Sequence, residues 1–144
     1  MIKIEVKTEI KTTEDPDKVK RAILNIIEPE EIKEEEDYRR IIIAESRNIN
    51  SLNKLHSLIR RERILDSARK TLKELSTKEK VIFHLNKQAA YMNHISFSQP
   101  ENESPLGPIT IEITSKNPKK IIDWLAPPTS KGKPIFEIKP PKEE

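Results

Sequence analysis

The residues with the most capacity for chemistry fall in two short stretches. In the first, Asn86-Lys87-Gln88 sets two amides and an ammonium at the exit of an apolar run, Val81-Ile82-Phe83-His84-Leu85. Such groups can hydrogen-bond a phosphate or a base edge. In the second, Arg60, Arg61 and Arg63 are followed by Arg69, Lys70 and Lys73. The guanidinium fork matches a phosphate bidentately. Each stretch also has a plainer reading. Asn86 can cap a helical turn, Gln88 can tie down loop carbonyls, and Ala89-Ala90 can pack closely under a helix. Around the arginines, Glu62, Asp66 and Glu74 share the surface, and Asp66 can pair with Lys70 at i, i+4, which makes a mixed-charge solvated face. Aromatic residues for stacking single-stranded RNA are scarce. Phe83 and Phe97 turn inward by alternation, which leaves Tyr38 and Tyr91.

Other chemistries find little support. His56, His84 and His94 form no closely spaced ligand pair, and no HExxH occurs. His84 falls on an alternate position of a strand and reads as a sheet-surface histidine. With no cysteine there is no thiolate nucleophile, disulfide or Cys-based zinc site. The two glycines make neither a phosphate-cradling loop nor a GxSxG elbow. Carboxylate pairs are so common here that none is informative. The expectation is a protein that is not an enzyme and has no cofactor or metal.

Net charge is +3 and pI about 9.0, which is mildly basic and short of a dedicated nucleic-acid coater. The acids cluster, at Glu28, Glu30, Glu31, Glu34, Glu35, Glu36 and Asp37, so the remainder is more basic than the total. That cluster reads as a solvated loop or edge. The charged fraction, 35%, matches the hydrophobic fraction, 34%, as in thermophile chains with surfaces crowded by both signs. No apolar run approaches the ~20 residues of a membrane span. The chain opens directly on strand-like alternation without a signal-peptide core, so a soluble cytoplasmic protein is expected.

These residues need elements to hold them. Ile2, Ile4, Val6 and Ile10 alternate with charged residues and predict a half-buried strand. Asp15-Pro16 opens a helix, Val19, Ala22, Ile23, Ile26 and Ile27 give it one apolar face, and Pro29 stops it. Residues 32–36 and 38–45 suggest a hairpin. Residues 48–75 are helical, but their two apolar stripes differ in phase across Arg60-Arg61-Glu62-Arg63, which predicts a break or kink there. A strand at 81–85, a helical turn at 87–92 capped by Asn86, and a strand at 95–98 follow. A loop over 99–105 leads to a strand carrying Ile109, Ile111 and Ile113. Asn117-Pro118 caps a short helix that Pro127-Pro128 ends. Residues 1–128 read as one domain. Residues 129–144 read as a Pro- and Lys-rich tail, with an edge strand at 135–138 and a disordered end. Short connections and interspersed helices point to an α+β fold: a mainly antiparallel sheet with helices on one face.

Several strings taken together carry a resemblance. Ser51-Leu52 with the Arg-rich helix, Ile64-Leu65-Asp66-Ser67-Ala68-Arg69, Leu85-Asn86-Lys87-Gln88-Ala89-Ala90, Ser104-Pro105-Leu106-Gly107-Pro108-Ile109 and Asp123-Trp124-Leu125-Ala126-Pro127, with Thr129 and Gly132, occur in order over nearly the whole chain. They resemble archaeal uncharacterised protein family 0201. The resemblance implies a fold like that of the large-subunit ribosomal protein that binds 5S rRNA, an archaeal source and an RNA-binding label. It assigns no catalytic residues. The chain departs from the family at Asn93, where a glycine is common. Asn tolerates the left-handed region, which would keep the turn. The leading expectation is therefore a non-enzymatic RNA-binding protein that contacts phosphates through Asn86, Lys87, Gln88, Arg60, Arg61, Arg63 and Arg69. The alternative is a structural or protein-interaction module, a homodimer that binds no nucleic acid.

Overall fold

The computed structural model describes residues 2–98 and 106–142. The loop expected over 99–105 lies outside these residues, as does the very end of the tail. Strand β1 (Lys3–Ile10) buries Ile4, Val6, Thr8 and Ile10 on one face, as its alternation dictates. Asp15 caps helix α1 (Pro16–Ile26), accepting from the Asp17 N–H at 3.0 Å. The chain then forms a hairpin of β2 (Glu31–Glu36) and β3 (Arg40–Ser46). The acidic cluster is thus largely an outer strand with its charges in water.

A 3₁₀ turn at Ile49–Leu52 leads into α2 (Asn53–Arg61), and α3 (Leu65–Glu74) follows after a break. The break lies where the two stripes change phase, and its geometry is specific. Arg63 takes φ 56°. The Arg63 N–H donates to Arg60 O and the Ile64 N–H to Ile59 O, at 3.1 and 3.2 Å. This is a Schellman ending with Arg where glycine is usual. It frees Leu65, Ala68 and Leu72 to bury on a new axis.

Next come β4 (Lys80–Asn86), α4 (Lys87–Tyr91), the two-residue β5 (Phe97–Ser98), β6 (Pro108–Thr114) and α5 (Pro118–Leu125). The α4 helix also ends in a Schellman motif: Asn93 N–H to Ala90 O and His94 N–H to Ala89 O, with Asn93 at φ 63°. The turn predicted to survive the absence of glycine is therefore present.

The six main strands form one sheet in the order β2-β3-β1-β6-β4-β5, antiparallel at every pairing. The fold is α+β. The inner sheet face and the apolar sides of the helices share one core that runs from Ile2 to Ala126 and includes Phe83, Ile111 and Trp124. The other sheet face carries Lys3, Glu5, Lys7 and Glu9, with ion pairs such as Lys80–Glu112 at 3.2 Å.

The tail corrects one expectation. No strand forms over 135–138. Instead β7 (Thr129–Ser130) pairs with β8 (Lys133–Pro134) around Lys131 and Gly132, both at positive φ. That two-residue turn fixes the register two residues early. Beyond this pair the Ile135 N–H donates to Pro128 O at 2.8 Å, but Pro128 has no N–H to return the bond. Ile135, Phe136 and Ile138 remain exposed.

Candidate nucleic-acid interface

Asn86, at the strand exit, is a helix cap. Its Oδ1 accepts from the Ala89 N–H at 2.8 Å. Lys87 does not point outward as expected; it is only 3% exposed. Its ammonium donates to Glu9 O (2.6 Å), Glu14 Oε1 (2.9 Å) and Leu106 O (2.8 Å). Three donors meet three acceptors, so none remains for a phosphate. Burial lowers the Lys87 pKa, and the Glu14 carboxylate opposes that shift. Of the three polar residues, only Gln88 is exposed.

The arginines divide in the same way. Arg60 uses all five donors: Nη1 to His56 O and Leu125 O, Nη2 to Trp124 O and Glu137 Oε1, and Nε to Glu137 Oε2, at 2.6–3.1 Å. Arg69 Nη1 donates to Asp123 Oδ1 (2.8 Å) and Ala126 O (3.1 Å). Trp124 O, Leu125 O and Ala126 O are carbonyls at the end of α5, which lack helical partners. Arg60 and Arg69 therefore cap α5 from neighbouring helices, contrary to the expected phosphate role. Asp66 accepts from Thr129 Oγ1 and makes no ion pair with Lys70 among the described residues. Arg61 and Arg63 are exposed. Arg61 Nη2 donates to Asn93 O, and the Arg63 guanidinium has no partner among the described residues.

Arg61 opens onto a polar groove that the sequence reading missed. The groove, of about 380 Å³, lies between α1, α2 and the turn after α4, and is lined by Asn25, Glu28, Asn53, Lys54, Ser57, Leu58, Arg61 and Asn93. Lys54 Nζ donates to Leu24 O at 2.9 Å. Asn25 Nδ2 reaches Ala90 O and Tyr91 O, at 3.0 and 3.1 Å. A second tie closes the corner, where Glu62 Oε1 accepts from the Ile95 N–H and meets His94 Nδ1 at 2.7 Å. That His94 bond is the main cause holding the Glu62 carboxyl below its usual range. The signal for the groove was present in the sequence. Lys54, Ser57 and Arg61 recur at i, i+3 and i+7, beside the apolar stripe of α2, with Leu58 between the two.

The three histidines have separate surroundings. His84 lies on the helix-free face, as alternation predicts, but is 8% exposed rather than solvated, and its Nδ1 is 2.9 Å from Thr110 Oγ1. Burial lowers its pKa. His56 stacks on Trp124 with centroids 4.9 Å apart, and its pKa is lowered by burial and then by Arg60. Among the described residues, no group of three His, Asp or Glu side chains could hold a metal ion.

Residues 3–115 match a family model described as RNA binding. The chain belongs to that RNA-binding family. A UPF0201 protein of Sulfurisphaera tokodaii is 46% identical over 145 residues and covers 100% of both chains. A UPF0201 protein of Aeropyrum pernix is 43% identical over 143 residues, which is 98% of this chain and 95% of the relative. Among solved structures, the UPF0201 protein from Methanococcus jannaschii superposes with TM-score 0.79 at 32% identity, covering 93% of this chain and 99% of that one. These archaeal relatives agree with the resemblance read from the motifs. Every residue lining the groove falls within the span matched to the RNA-binding family, whereas α5 and the tail fall outside it. Among the described residues, no helix is long and apolar enough to cross a membrane.

Proposed function

We propose that the protein binds RNA without catalysing a reaction, holding backbone phosphates along the α1–α2 groove and the corner after α2. The observation that carries this reading is the convergence of Lys54, Arg61 and three amide side chains in one groove inside the span matched to the RNA-binding family. Phosphate contacts come from Arg, Lys, Asn and Ser groups of this kind, and they position a nucleic acid without reading its sequence. Arg61 and Arg63 are retained from the sequence-based candidates. Gln88 belongs to an adjoining surface. Asn86, Lys87, Arg60 and Arg69 act on the fold.

Binding of this type releases counterions, so affinity falls steeply with salt. The test is a salt titration with a structured RNA. Arg61→Ala and Lys54→Ala should each weaken binding and flatten the log–log slope by about one. No binding to any RNA pool at low salt would overturn the reading. The alternative of a homodimer through a sheet edge has less to rest on. Strand β2 carries five exposed charged residues, and β5 is two residues long.

A further inference from the structure

A second cavity adjoins the groove. It has a volume of about 460 Å³ and lies over the seam between α1 and α4. This falls within the range of ligand clefts, about 300–1,000 Å³. Val19 and Ala22 of α1, Tyr91 at the end of α4 and Met92 just beyond it supply its apolar surface, and Asp15, Lys18 and Gln88 its polar rim. Met92 is 63% exposed, so its side chain is open to an incoming ligand. Lys87 and Glu14 also line the cavity, but they neutralise one another at 2.9 Å. The interior therefore has no net charge to attract a phosphate.

We infer that this cavity takes an unpaired nucleobase of the bound RNA, with Tyr91 and Met92 against its face and the Gln88 amide at its edge. The inference rests on the RNA-binding reading above. A nucleobase is flat, uncharged and rimmed with donors and acceptors. Single-stranded RNA is recognised by stacking such bases on aromatic side chains and hydrogen-bonding their edges. The Gln88 amide offers a donor and an acceptor, and makes no hydrogen bond among the described residues. Continuity between the two sites supports the same occupant. Lys18, Ala22 and Asn25 recur at i, i+4 and i+7 on one side of α1, leading from this cavity to the polar groove. Ala22 and Asn25 are about 4.5 Å apart along the helix axis. A strand with a phosphate beside Lys54 and Arg61 can therefore place a neighbouring base over Tyr91. Lys18 and Asp15 both line the cavity, so its rim is mixed in charge, which suits an uncharged base better than a phosphate.

The test compares two RNAs of equal length with the full chain: a hairpin with an unpaired loop and a blunt duplex. A 2-aminopurine in the loop reports stacking by loss of its fluorescence. Tyr91→Leu keeps apolar volume and removes the ring. Met92→Ala alters an exposed position and leaves the fold intact. Both should weaken hairpin binding about tenfold, within the range for loss of one stacked base. Both should leave duplex affinity unchanged, and the 2-aminopurine signal should no longer drop. If these variants change neither RNA, or both equally, while Arg61→Ala still weakens binding, the base pocket is overturned and RNA binding stands. If neither RNA binds the unaltered protein at low salt, the RNA reading itself fails and the pocket assignment goes with it.

Discussion

Lys87 shows how a residue's type can mislead about its role. A lysine after a strand, beside two amides, suggests a ligand contact. Its actual partners are Glu9 O, Glu14 and Leu106 O, which come from distant parts of the chain. No local pattern announces that convergence. Asn86 was legible because a cap needs only the next three residues, and its Oδ1 binds the Ala89 N–H. Lys87→Met should cost about 3 kcal/mol, because it leaves a carboxylate and two carbonyls without their cation. Denaturant unfolding should show this loss, while the salt slope of RNA binding stays unchanged. The histidines give a pH prediction. Burial holds His84 and His56 below the usual histidine range, so the unfolded chain takes up protons first as pH falls. Their neutral forms carry no penalty above that range, and stability declines as pH drops through it. Thermal melts from about pH 7.5 to about pH 5 should show a falling Tm, with a smaller fall in His84→Gln.

Most element boundaries were legible, because caps and periodicity are local. Asp15-Pro16 and Asn117-Pro118 open helices where expected, and the phase change in the long helical region marks a true break. The strand expected at 135–138 was not found. Its apolar residues were visible in the sequence, but the strand that could pair with them was not. The two Schellman endings face one another. Arg61 at the end of α2 binds Asn93 O at the end of α4, and Glu62 binds the following backbone. Both endings use a non-glycine residue at positive φ. Relief of the left-handed cost outweighs the added chain entropy, so Arg63→Gly should stabilise by about 0.5 kcal/mol. The same change removes an exposed cation, so RNA affinity should fall as Tm rises. A paired melt and binding titration reads both.

Across the whole molecule, the tail is fastened to the helical layer by Glu137 on Arg60, at 2.6 Å, and by the Ile135 N–H on Pro128 O. The Arg60 guanidinium holds the Glu137 carboxyl below its usual range. The pair's contribution is present above the ordinary carboxylate range and is lost as pH falls through the lowered value. The protection factor of the Ile135 amide, which corrects for the intrinsic pH dependence of exchange, should therefore fall in acid before the core opens, and Glu137→Gln should lower it at neutral pH. The sheet order has a further consequence, in time rather than in space. β1, which leaves the ribosome before the other strands of this sheet, ends in the middle of the sheet between β3 and β6. Its partner β3 follows soon, so a β1–α1–β2–β3 unit can assemble early on its own connections. Its other edge must wait for β6, with Ile4 held for Ile113 across more than 100 residues of synthesis. A ribosome stalled before β6 would thus present an open, apolar strand edge to whatever chain or chaperone lies nearest.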